Sequence, residues 1–237
     1  MQSESCKRLV SLSKVARRIV CTMQSGIKIR LARIIHFAVI CAAVFFFNFA
    51  HAGGGPLGID RRLNFDDSGI WKRGVQNATL GLVVTGTVAA AFWEGGETRL
   101  GKTLWQSVDS VLISTAATTA GKYAFTRARP TQTDDPNQWF KGGHHYSFPS
   151  GEVGAMSAIV TPMILEYQHD HPWVWALELL PAYDAVARMK VRAHWQTDVL
   201  AGFAIGSLAG YYAHSRDTPW TLGVLPHGVS VGFHKNW

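Results

Sequence analysis

Three separated segments of this 237-residue chain gather polar side chains that phosphate chemistry could use. In "KYAFTRARP", Lys122 and Arg129 stand seven positions apart, about two helical turns. One side of a helix can therefore carry both cations, and Pro130 ends it. In "FPSGE", Ser150 reads as a helix N-cap, and the amides that follow point outward at the positive end of the helix dipole, where an oxyanion is welcome. In "ARMKVRAHWQTD", His194 and Asp198 are four apart on a helix. A carboxylate at that spacing can hold the imidazole in one tautomer and leave its other nitrogen free to attack or bind. Singly, each segment has a plainer reading: last-turn cations facing the helix dipole, a cap with a first-turn acid, a surface pair. Together, Lys122, Arg129 and Arg188, an anion-binding helix start and an oriented histidine are what phosphoryl transfer through a histidine nucleophile requires.

The elements that must hold these residues are mostly helical. Apolar periodicity predicts helices over Trp71–Trp93, Arg99–Thr126, Gly151–His169, Trp173–Met189 and Trp195–Ser215, with Pro162 and Pro181 expected to kink or end theirs. Their interiors mix Ala, Val, Leu and Ile with Gly, Ser and Thr, which suits close helix–helix packing. "NATLGLVVTGTVAAAFW" and "DVLAGFAIGSLAGYYA" are apolar enough to touch lipid, but Asp109 and Glu178 sit inside other segments. A compact bundle, soluble or surface-associated, explains these charges with fewer unpaired groups than an integral polytopic membrane protein, the other reading. Residues 130–149 form a long polar connection of the kind functional loops use. "TLGVLPHGVSVGFHKNW" reads as a β-hairpin around Pro226-His227-Gly228, with Val229, Val231 and Phe233 on one face as a cover. The expected class is all-α, a helical bundle with a short C-terminal hairpin.

Charge and cysteine usage divide the chain. Residues 1–52 hold eight Lys/Arg and one acid, Glu4, so the whole formal charge of +7 lies there, while the 15 basic and 15 acidic residues from Gly53 onward balance. A nucleic-acid-binding surface on the main domain is therefore not expected. The basic stretch leads into "IIHFAVICAAVFFFNF", then "AHA" and a glycine-rich start, the layout of an export signal. Counting from Met23 gives a conventional signal with Lys28, Arg30 and Arg33 as its charged region. The expectation is therefore a start at Met23 and a mature domain over 53–237 in the periplasm or cell envelope, an uncleaved anchor being the other reading. Cys6, Cys21 and Cys41 all precede Gly53, so the predicted mature domain has no disulfide, Cys-metal site or thiol chemistry.

With those residues in view, the chain resembles the type 2 phosphatidic acid phosphatase and vanadium haloperoxidase superfamily. The family signature is Lys-x6-Arg-Pro, Pro-Ser-Gly-His and Ser-Arg-x5-His-x3-Asp. It stands here as Lys122 to Pro130, Pro149 to Glu152, and Ala187 to Asp198. The resemblance implies that Lys122, Arg129 and Arg188 grip phosphate oxygens and that Ser150 and the Gly151 amide complete the cradle. It implies that His194 attacks phosphorus while Asp198 orients it, with no metal and no cofactor.

Two positions depart from the pattern. Ala187 replaces a serine, and Glu152 replaces the histidine that would protonate the leaving group. Glu152 then becomes the expected donor if a nearby phosphate raises its pKa, and activity should rise toward mildly acidic pH, although the flanking cations pull the other way. His144 and His145, on the preceding loop, are alternative donors or solvated loop histidines. The expected function is an exported phosphatase for phosphomonoesters or pyrophosphates, lipid-linked substrates included, working at a membrane surface. The alternatives are a phosphate- or phospholipid-binding protein with weakened turnover, and a haloperoxidase whose cradle holds vanadate.

Overall fold

The structure, a computed structural model, describes residues 54–216 and, as backbone alone, 221–225 and 228–232. The chain divides into Met1–Ala52 and Gly53–Trp237. The first unit, with the signal or anchor expected there, lies outside the described residues. So do Pro226 and His227, on which the expected hairpin turns.

Five α-helices build the described domain: α1 (Arg73–Glu94), α2 (Arg99–Phe125), α3 (Gly151–Tyr167), α4 (Leu179–Lys190) and α5 (Gln196–Ser215). Local signals account for two of the ends. Thr98 caps α2 by accepting from the Gly101 amide at 2.9 Å, and α1 stops at Gly95, whose φ of 69° lies where a side chain would strain the backbone.

Neither proline ends its helix. Pro162 sits inside an uninterrupted α3. The carbonyl it cannot bond, that of Ala158, instead accepts the Ser110 hydroxyl from α2, and the neighbouring Ile159 carbonyl accepts Ser107 at 2.9 Å. Pro181 falls in the first turn of α4, where an absent N–H costs nothing, and the helix expected from Trp173 is a 3-10 segment, Pro172–Glu178, before α4 begins.

The core is α3 gripped between α2 and α5. Small residues permit this. A Cβ at Gly202 would stand 2.2 Å from the Ser150 carbonyl oxygen, and one at Gly206 would stand 2.2 Å from that of Gly154. The helices therefore touch backbone to backbone, and the first turn of α5 lies against that of α3. On α2 the facing stripe is Ser107, Ser110, Ser114 and Thr118, all buried. The 130–149 connection folds back on the end of α2: Ala128 N–H donates to Gln138, Phe140 N–H to Phe125, and Ser147 N–H to Arg127.

α1 differs from the others. Leu82, Phe92 and Trp93 on it are 74%, 61% and 89% exposed. Among the described residues it is the one helix long and apolar enough to cross a membrane, by length and composition alone.

Candidate active site

The three sequence segments converge where α2, α3 and α5 meet. Lys122, in the last turn of α2, donates from Nζ to the Pro149 carbonyl at 2.6 Å and to that of Tyr146 at 3.3 Å. Its Cε would lie 3.6 Å from a Cβ at Gly151, so the ammonium stem runs along the opening of α3. Arg129 reaches the same Tyr146 carbonyl at 3.3 Å. Burial pulls both cations down, with each other's neighbourhood contributing for Lys122, which falls to about 8. Arg188, in the last turn of α4, is lowered by burial to about 10 and stays charged at neutral pH.

Ser150 occupies the N-cap position of α3, but its hydroxyl makes no cap hydrogen bond. Its backbone N–H donates to the Asp198 carbonyl at 2.9 Å, and its buried Oγ has no partner among the described residues. A buried hydroxyl without a partner is costly unless a ligand oxygen completes it.

His194 lies between α4 and α5 and is 3% exposed. Its Nδ1 is 2.7 Å from the Ser147 carbonyl oxygen, whereas the Asp198 carboxylate stands 3.7 Å away, beyond hydrogen-bond reach. A carbonyl only accepts, so Nδ1 carries the proton and Nε2 keeps its lone pair. Burial pushes the imidazole down to about 4, against the pull of Asp198, so it is neutral at physiological pH. In this geometry the direct partner of Nδ1 is the Ser147 carbonyl, with the Asp198 carboxylate next to it. The Ser147 carbonyl holds the ring, and Asp198 supports the surrounding loop.

Asp198 accepts the Trp195 N–H at 2.8 Å, the Ser147 hydroxyl, and Arg127 Nη1 at 2.6 Å. Arg127 also donates to Asp60 at 2.6 Å and to Thr197 Oγ1 at 2.7 Å, and all of its side chain is buried. Burial alone would raise the Asp198 carboxyl, but His194, Arg127 and Ser147 outweigh it and hold it below the usual range.

Glu152 is claimed by a residue from outside the motifs. Arg73, the first residue of α1, meets it with two hydrogen bonds, Nη1 to Oε2 at 2.8 Å and Nη2 to Oε1 at 2.7 Å. Arg188 Nη2 lies 3.6 Å from the same carboxylate. Burial raises the Glu152 carboxyl, but Arg73 and Arg188 more than offset this, and the net shift is downward. Without a bound phosphate, Glu152 is thus held as a carboxylate by these two cations. The raised acid is a neighbour on α4, Asp184, which burial and the charge of Glu152 push up to about 7; both its oxygens are buried without partners among the described residues.

His144 and His145 are not drawn into the cradle. His144 is exposed with its carbonyl accepting from Gln132, and the His145 ring contacts the Gly143 carbonyl. Arg73, Arg129 and Arg188 line one cleft of about 320 Å3 together with Phe65, Thr131 and Ala193.

Sequence reasoning missed Arg73, Arg127, Asp60, Ser147 and Asp184. Arg127 stood in plain view inside "TRARP". Arg73 had a weaker signal: a cation in the first turn of a helix opposes the dipole and so calls for a partner.

Residues 103–219 match the PAP2 superfamily. Lipid A 1-phosphatase of Porphyromonas gingivalis is 28% identical to this chain over 153 residues, which cover 63% of this chain and 32% of that protein. The chain thus spans about a third of the length of that relative. A crystal structure of Aquifex aeolicus LpxE is similar over 64% of this chain and 98% of its own, at a TM-score of 0.39 and 17% identity.

Proposed function

We propose that this chain, which belongs to the PAP2 superfamily through residues 103–219, is a phosphatase acting on a lipid-linked phosphate by way of a phosphohistidine. The observation that carries the mechanism is the neutral, buried His194, its Nδ1–H tied to the Ser147 carbonyl, which leaves the lone pair on Nε2, with the charges of Arg188 and Lys122 acting on the ring. The similarity to a lipid A 1-phosphatase supports the lipid-linked substrate, and the exposed apolar face of α1 supports work at a membrane surface.

In the first step Nε2 attacks phosphorus. The bond to the leaving oxygen breaks, its electron pair stays on that oxygen, and solvent supplies the proton. Lys122, Arg129, Arg188, Ser150 and the Gly151 amide hold the equatorial oxygens and offset their charge, the work a metal does in other phosphoryl-transfer sites. Water then attacks phosphorus, the P–Nε2 bond breaks with its electron pair returning to Nε2, and the displaced proton of the water passes to solvent, releasing inorganic phosphate and restoring neutral His194. With Glu152 ionised, this route favours leaving groups of low basicity, such as phosphoric anhydrides and anomeric phosphates.

Export through residues 1–52, operation without metal or cofactor, and a closing hairpin belong to the same proposal. The antiparallel register of Thr221–Leu225 with Gly228–Gly232 supports the hairpin. The full chain in detergent, given a panel of lipid A, polyprenyl pyrophosphate, phosphatidic acid and aryl phosphates, should release phosphate and label His194 with it. Release that survives His194→Asn would refute the mechanism. The Arg73–Glu152 pair favours one second reading, a phosphate-binding protein with slow turnover. Labelling of His194 without steady-state release would select it.

A further inference from the structure

We infer that Arg73 is a fourth phosphate-binding cation of this site and that Glu152 works by positioning it, an inference that rests on the phosphatase reading. Arg73 comes from the start of α1, a helix outside the three motifs, and its backbone N–H is fixed by the Asp67 carboxylate at 2.6 Å. Its guanidinium and that of Arg188 each stand 3.2 Å from one atom, the Oε1 of buried Gln76. The two cations are therefore side by side, and both open on the cleft that Arg129 lines.

Like charges this close repel, and the Glu152 carboxylate between them offsets that repulsion. Glu152 follows the cradle residues Ser150 and Gly151 directly, so the backbone that forms the cradle also carries the group that anchors Arg73. Three of the five guanidinium N–H donors are committed to Gln76 and Glu152. Donors on Nε and Nη2 remain for a phosphate oxygen. The Arg73 side chain is 40% exposed, so a ligand in the cleft can reach it. A guanidinium stays charged at any working pH, so it compensates a leaving oxyanion by charge where a histidine would have donated a proton.

The test uses inorganic phosphate as the probe, titrated calorimetrically into the full chain, beside steady-state kinetics on an aryl phosphate. Arg73→Ala should weaken phosphate binding roughly 10- to 100-fold, and Arg73→Lys less. Glu152→Gln should weaken it in the same direction. The double variant should be no worse than Arg73→Ala alone, because the carboxylate acts only through the guanidinium. The acid side of the pH–rate profile should be unchanged in Glu152→Gln. Unaltered phosphate affinity in Arg73→Ala, or a Glu152→Gln variant that keeps its affinity but loses kcat and the acid limb, would overturn the inference. Arg129→Ala separates the two levels: if it leaves phosphate affinity intact as well, the phosphatase reading itself fails.

Discussion

The Nδ1 of His194 is 2.7 Å from the carbonyl oxygen of Ser147, and that bond, rather than the carboxylate four residues on, fixes the tautomer of the imidazole. Ser147 in turn donates its hydroxyl to Asp198. One residue of the loop before α3 thus joins His194 to Asp198, and it leaves Nε2 as the basic nitrogen.

The pH profile follows from this arrangement. On the proposed mechanism His194 attacks in its neutral form, and burial places its pKa at about 4, so kcat/KM should fall as pH drops through that value. Lys122 must be charged to hold phosphate, and burial lowers it to about 8, so kcat/KM should fall again as pH rises through 8. A plateau between these limbs is expected on a substrate whose own ionisation lies outside them. The rise toward mildly acidic pH expected from a protonated Glu152 should be absent.

Arg127 should be the costliest single substitution in the domain. Arg127→Ala leaves two buried carboxylates, Asp60 and Asp198, without the cation they share. The expected loss is about 3–5 kcal/mol by urea unfolding. Asp60→Asn keeps a hydrogen-bonding side chain beside Thr197 and should cost less.

Asp184 gives a stability change with a definite sign. Its folded pKa of about 7 exceeds the ordinary value of 3.8, so the folded state holds a proton that the unfolded chain releases earlier. Its contribution therefore worsens as pH rises from about 4 to 7 and is constant above. Asp184→Asn should raise stability at pH 8, by at most about 4 kcal/mol, and change little at pH 4. Thermal unfolding at the two pH values reads the difference.

Gly202 and Gly206 separate packing from cradle geometry. An added methyl at either position meets backbone oxygen of α3 at 2.2 Å, so both Ala variants should lose about 1–3 kcal/mol of stability. Only Gly202→Ala pushes on Ser150. Its kcat/KM should fall about tenfold further than that of Gly206→Ala, measured where both are folded.

Much of this was legible in the chain. The spacing of Lys122 to Arg129 and of His194 to Asp198 is set by the helical period, and Ser150-Gly151 marks a helix start by its own chemistry; α1, α2, α3 and α5 begin within two residues of the expected positions. Such features depend on near neighbours, so the order of residues suffices to find them. Pro162 shows the boundary: it would end a solitary helix, yet α3 continues because Ser110, from another helix, takes the freed carbonyl. The same holds for Glu152. Its residue type says only that it can carry a proton, whereas its charge state depends on Arg73, 79 positions away, and on how deeply both are buried. Local sequence determined the motifs and the helices that bear them. Tertiary structure decided which charges meet and which protons stay, because desolvation and long-range pairing exist only once the helices have packed.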